Sequence, residues 1–278
     1  MPFSVKDFNN ILKRINENDA SLKSIDFSVD IKIATYTQPE SLPIFSRYPD
    51  GFKDFLSAMG NNTVVTAINL SNNFLGDYYI QSLSELIEVN GSLITISLMN
   101  CNIGRDGARA LATALRTNRS IKSITLGSND IGDEDAMAFA EMLKINTALT
   151  SIDLSDNEIG HEGAIALAEM LQNNGVLTSI NLDRNDIEGI GLAALSKALT
   201  INTALRFFSL NRIHYHYDIP IGGDYERINK KRASWKTACV ALTEALRINM
   251  TLTSINFADN GTSFDLFAAL RNNTALAA

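Results

Sequence analysis

Two histidines set two residues apart, His214 and His216, are the residues best spaced for metal chemistry. On an extended segment alternate side chains point the same way, so the pair could ligate zinc, with Asp218 as the third ligand. An ordinary loop accounts for the pair as well. The third histidine, His161, falls near a helix start far along the chain from His214, so no set of nucleophile, base and orienting group assembles. Cys101 and Cys239 are expected to be buried free thiols in a reducing compartment. They fall four repeats apart, too far for a disulfide. The glycines recur with a repeat and form no Walker-type phosphate loop. The expectation is a chain that is not an enzyme, with no cofactor and no metal. A metal-dependent enzyme centred on His214 and His216 is the remaining chemical alternative.

A second cluster points to binding. Residues 211–236 hold Arg212, Arg227, Lys230, Lys231, Arg232 and Lys236 against Asp218, Asp224 and Glu226, a local +3 in a chain of −7. Tyr215, Tyr217, Tyr225 and Trp235 lie in the same stretch. Aromatic residues and arginine are the composition of an interface core. The run Lys230-Lys231-Arg232 either contacts phosphates or forms a solvated helix start. Just upstream, Phe207 is a large ring where equivalent positions carry Ser24, Ala67, Thr95, Ser123, Ser151, Ser179 and Ser254. It is either a binding anchor or a side chain packed under the neighbouring insertion. The candidate partner-binding set is therefore Asp153, Asp183, Arg184, Arg206, Phe207, Arg212, His214, Tyr215, His216, Tyr217, Tyr225 and Trp235.

These residues are positioned by a repeat. Strand-like segments start at Val65, Leu93, Ile121, Leu149, Leu177 and Leu205, a period of 28 residues without slippage. Such a period means one supersecondary unit stacked many times. In the unit from Leu149, Ile152 and Leu154 alternate as a half-buried strand, and Asn157 follows in the loop. Asparagines stacked at that position can satisfy loop backbone groups in a ladder; Cys101 occupies the same place in its repeat. Gly160 and Gly163 are expected to supply a turn with relaxed dihedral limits. Ala164, Leu167, Ala168 and Leu171 then form a helical stripe that faces the core.

The pattern L-x-x-L-x-L-x-x-N/C-x-L resembles the leucine-rich repeat family, specifically its ribonuclease-inhibitor-like subfamily, over residues 22–278. The resemblance implies an α/β solenoid, a right-handed α/β horseshoe with a concave parallel sheet and convex helices. Members of that subfamily inhibit ribonucleases or activate small GTPases. The returns Asn146-Thr-Ala-Leu, Asn202-Thr-Ala-Leu and Asn273-Thr-Ala-Leu are similar in style to effectors of intracellular bacterial pathogens.

The chain divides as one repeat domain over 1–278. A capping helix spans 1–21, with Phe8, Ile11, Leu12 and Ile15 as its stripe. The first repeat, 22–64, carries an insertion about 31–49. Five regular repeats fill 65–204. The repeat 205–251 carries an insertion about 211–234, and a short terminal repeat covers 252–278. Both insertions follow a strand and precede its helix, so they emerge on one edge, the usual site of binding loops in repeat arrays. With 45% hydrophobic and 20% charged residues the chain is folded, and its −7 charge argues against nucleic acid. No signal peptide or membrane span is visible. The expected protein is a monomer, cytoplasmic or exported without a cleaved signal. It is expected to hold another protein through its concave face and the two insertions, and the alternative is a regulator of a partner enzyme.

Overall fold

A computed structural model of the chain describes residues 5–28, 45, 50–213, 225–258 and 260. Strand and helix alternate throughout, as an α/β solenoid requires. Two compact units emerge, Met1–Asp130 with Asn146–Leu149, and Ile131–Ile145 with Thr150–Ala278.

The first unit holds α1 (Val5–Asn16), β1 (Ser24–Asp26), α2 (Gly51–Gly60), β2 (Ala67–Asn69), α3 (Gly76–Val89), β3 (Thr95–Ser97), α4 (Arg105–Thr117) and β4 (Ser123–Thr125). Its strands pair in parallel and in register, Ser24 opposite Ala67, Ala67 opposite Thr95 and Thr95 opposite Ser123. Each strand is three residues long, with a buried isoleucine between two outward residues (Ile25, Ile68, Ile96, Ile124). At the N-terminal end Phe8, Phe27, Phe45, Phe52 and Phe55 pack edge-on or tilted, with centroids 4.8–6.3 Å apart. Phe8 and Ile15 of α1 are buried, and Phe8 packs on Phe27 just after the first strand.

The second unit holds α5 (Asp133–Leu143), β5 (Ser151–Asp153), α6 (His161–Asn173), β6 (Ser179–Asn181), α7 (Glu188–Leu199), β7 (Phe207–Ser209), α8 (Tyr225–Ile248) and β8 (Ser254–Asn256). Ser151, Ser179, Phe207 and Ser254 are register partners in turn. The Ala and Leu stripes fill the core. Ala136, Phe139, Ala140 and Leu143 of α5 are buried, as are Ala164, Leu167, Ala168 and Leu171 of α6.

Two asparagine ladders hold successive repeats together. One is the expected ladder after the strands. Asn129 Nδ2 donates to Leu98 O of the preceding repeat at 3.0 Å, and its Oδ1 accepts from the backbone N–H groups of Cys101 and Ile103. Asn185 repeats this with Leu154 O and Ile159 N. Cys101 stands in for asparagine and donates its thiol to Leu70 O at 3.2 Å. The other ladder was not anticipated. It lies in the returns from helix to strand, where Asn118 donates to Ile87 O at 2.8 Å and Asn202 to Leu171 O at 2.7 Å. Each also accepts from the N–H three residues on, which opens the next strand segment. Asn146 and Asn202 of the Asn-Thr-Ala-Leu returns are thus buried structural groups, and Asn273 lies outside the described residues.

Gly160 and Gly163 do not play the expected dihedral role, whereas Gly76 is left-handed with φ 65°. Gly104, Gly132 and Gly160 precede helices with φ between −98° and −89°. Left-handed residues recur once per repeat at one loop position, Asn72, Asn100, Ser128, Asp156, Arg184 and Arg212, and Asn18, Phe74, Asn102 and Glu188 are left-handed besides. Glycine is needed instead for close approach. A Cβ on Gly163 would lie 2.8 Å from Asp133 Oδ1 and 2.9 Å from Ala136 Cβ. Asp133 Oδ1 there accepts the N–H groups of Gly160 and Gly163 at 2.8 and 2.7 Å, so one helix start caps the next. Asp77 serves Gly104 likewise at 2.8 Å in the other unit.

Candidate functional site

The outward face of the second unit is built from the first and third residues of each strand. The first row reads Ser151, Ser179, Phe207, Ser254, and the ring of Phe207 is 37% exposed. Its neighbour Phe208 points inward and is fully buried. Phe207 is therefore a surface aromatic set among serines.

The second row reads Asp153, Asn181, Ser209, Asn256. These side chains are less available than an outward position suggests. Asp153 Oδ1 accepts the N–H of Ser155 at 2.9 Å, and Asn181 Oδ1 that of Asp183 at 3.0 Å. Each strand's last residue thereby closes the turn that follows. Ser209 cannot reach so far and is buried. Asp183 of the preceding repeat replaces it, accepting from Ser209 Oγ and from Asn211 N, both at 2.6 Å.

Arginines border this face. Arg184 and Arg212 are exposed, in left-handed conformation at the tips of the loops after β6 and β7. Arg184 N donates to Asn211 O at 2.7 Å, which sets the two loops side by side. Arg206 is exposed but anchored, its Nη1 donating to the carbonyls of Thr203, Ala204 and Leu205 at 3.0–3.2 Å. The structure thus brings Asp183, Arg184 and Arg212 together, with Phe207 and Arg206 at the start of β7.

Trp235 departs from the sequence expectation. It is 8% exposed and stacks on Phe257, with centroids 6.2 Å apart and ring planes 9° apart. A Cβ on Gly189 would lie 2.7 Å from Trp235 N, so α8 lies close against the start of α7. Trp235 is packing between repeats and not an accessible contact. The second insertion also differs from a plain loop. Residues 225–234 are helical and continuous with the repeat helix, because α8 runs from Tyr225 to Ile248 without a break. Tyr225 opens α8, and its side chain lies outside the described residues, as do His214, Tyr215, His216, Tyr217 and the proposed third ligand Asp218. Residues 31–44 and 46–49 of the first insertion lie outside them too.

Among the described residues no group of three or more His, Cys, Asp or Glu side chains could hold a metal. Both cysteines are free and buried. Burial pushes the Cys101 thiol up to about 12 and the Cys239 thiol up to about 11, the reverse of an activated nucleophile.

Two exposed aromatics escaped the sequence reading. Phe74 is 51% and Tyr78 77% exposed, in the first unit. Equivalent positions carry Asn102, Asp130 and Glu158 for the first, and Asp106, Glu134 and Glu162 for the second. Comparison down these columns, and not only down the strand columns, would have found them.

The family described as "Leucine Rich repeat" matches residues 89–112, 117–140, 146–168 and 173–196. Among curated proteins none matches the sequence. Among solved structures, the leucine-rich repeat-containing protein LegL7 from Legionella pneumophila is 17% identical with a TM-score of 0.52, over 99% of this chain and 79% of that one. The tropomodulin C-terminal domain of Caenorhabditis elegans is 15% identical with a TM-score of 0.37, over 82% and 98%. Leiomodin-1 actin-binding site 2 is 17% identical with a TM-score of 0.33, over 88% and 92%. The first of these supports the fold. No helix among the described residues is long and apolar enough to cross a membrane.

Proposed function

We propose that this chain, whose residues match the leucine-rich repeat family in four successive segments, is a protein–protein interaction module that holds its partner through the outward strand face of its second unit and the adjoining loop edge. The observation that carries this reading is Phe207, a 37% exposed ring in a row otherwise made of serines. A lone aromatic on a flat polar field has the anchor-and-rim arrangement of a contact hot spot. Arg184 and Arg212 supply the charged rim. The role is non-catalytic: the exposed groups bind and orient, and the thiols are buried.

The setting we propose is that of a bacterial effector meeting a host protein. It rests on the likeness of the Asn-Thr-Ala-Leu returns alone. The test is affinity capture with purified wild-type chain from host-cell and bacterial lysates, beside Phe207→Ser and Arg184→Glu. The expected result is a host protein enriched by the wild type and lost with Phe207→Ser. Equal enrichment by both chains would remove the strand face from the reading.

A further inference from the structure

We propose that the first turns of α8, with the arginines of the adjoining loops, form a docking edge for a short acidic segment of a partner protein. The inference deepens the interaction-module reading and rests on it.

The long repeat places Trp235 at the position that Glu188, the first residue of α7, holds one repeat earlier, as Leu205 and Leu252 mark equivalent strand starts. Residues 225–234 therefore run past the start of the neighbouring helix, by roughly 15 Å at 1.5 Å per residue. Among the described side chains of this extension none is buried; burial along α8 begins at Trp235. The extension is nevertheless positioned. Lys231 Nζ donates to Glu188 Oε1, and Glu188 N donates to Ile213 O at 3.4 Å. With the bond from Arg184 N to Asn211 O, these contacts set the extension beside Arg184 and Arg212 on one edge.

The charge of this edge is unlike the rest of the chain. Residues 225–236 carry five basic side chains against Glu226, or +4, so the remainder of the −7 chain carries −11. Lys230 and Glu226 form an ion pair at 3.0 Å with side chains 77% and 80% exposed. A pair so exposed holds weakly, and a partner carboxylate can replace Glu226. The helix dipole adds to the same field. A helix start favours anions, yet this one carries mostly cations, so its own electrostatics are relieved by an external acid. A peptide of about five extended residues spans roughly 17 Å, the length of the extension. A longer polyanion such as RNA would also meet the negative remainder, which repels it.

The test uses the full chain and a fluorescein-labelled octapeptide of alternating Asp and Glu, read by fluorescence anisotropy. The triple variant Lys230→Glu, Arg232→Glu and Lys236→Glu leaves the Lys231 tether in place. The control triple Lys53→Glu, Arg116→Glu and Lys197→Glu reverses three exposed charges elsewhere. Binding by the wild type should weaken as salt rises from about 50 to 300 mM. It should fall at least about tenfold in the first variant and less than about twofold in the control. The first variant should keep the wild type's helical circular dichroism and cooperative melt, because the three substituted side chains are exposed, so lost binding would not reflect unfolding. A peptide that fails to bind the wild type, or that binds both variants equally, overturns the inference. Octauridylate RNA binding as tightly through the same residues overturns it in favour of nucleic acid. Failure of the wild type to bind the peptide counts against this edge alone, whereas a Phe207→Ser chain that keeps its captured partner counts against the strand-face reading alone.

Discussion

Asp183 and Ser209 form a hydrogen bond of 2.6 Å across adjacent repeats, and the same carboxylate oxygen takes the N–H of Asn211. An aspartate that reads in the sequence as a free surface charge is thus a turn support. It does for β7 what Asp153 and Asn181 do within their own repeats. Replacing Asp183 by Ala leaves the Asn211 N–H and the Ser209 hydroxyl without this acceptor. The expected cost is about 1–3 kcal/mol, against under ~1 kcal/mol for Ser209→Ala. Urea unfolding of the two single variants and the double would show them coupled; additive losses would deny the contact any energy of its own.

The return ladder should be worth more than any surface pair. Asn202 donates to Leu171 O and Asn174 O, and accepts from Ala204 N and Leu205 N, while being 4% exposed. Asn202→Leu would strand several buried backbone groups, at about 3 kcal/mol or more. Thr203→Leu, one residue on and exposed, should shift stability by less than about 0.5 kcal/mol. A chemical melt that ranks the two alike would contradict the ladder.

Glycines offer a prediction of opposite signs. Gly163→Ala adds a Cβ against Asp133 Oδ1 and Ala136 at 2.8–2.9 Å. It should destabilise by about 1–3 kcal/mol, although Ala for Gly inside a helix ordinarily stabilises by about 1 kcal/mol. Gly175 has nothing within 4 Å of such a Cβ, and Gly175→Ala should be neutral or stabilising by up to about 1 kcal/mol. Thermal unfolding of the pair measures both.

Acid should loosen α1 before the repeats. Asp19 is held down to about 2, first by its hydrogen bond from Arg14 and then by Ser21. Because the folded value lies below the ordinary 3.8, the stabilisation is present above that value and is lost as pH falls through about 2. Amide exchange in α1 should accelerate in that window. An Asp19→Asn chain should already show the faster exchange at neutral pH.

The thiols should stay silent in the folded chain. With both pushed well above an ordinary cysteine, iodoacetamide at pH 8 should label Cys101 and Cys239 only after denaturation. Rapid labelling of the native chain at either residue would show that its repeat opens.

The 28-residue period, the inward Ile and Leu of each strand and the Ala-Leu stripe of each helix were legible in the sequence, because burial imposes a spacing that a linear chain must display. The exposure of Phe207 followed from the same alternation. Trp235 was misread because composition cannot distinguish an aromatic at an interface from one between repeats; a close approach at Gly189 and a stacked Phe257 decide that. The helical state of residues 225–234 was hidden because a polar segment carries no apolar stripe to count. The work of Asp183, Asp133 and the return asparagines was hidden for another reason. Each satisfies backbone groups of a different repeat, and a contact between residues some 28 positions apart exists only once the units are stacked. Local sequence determined what each repeat is, and stacking decided which polar side chains hold it and which remain for a partner.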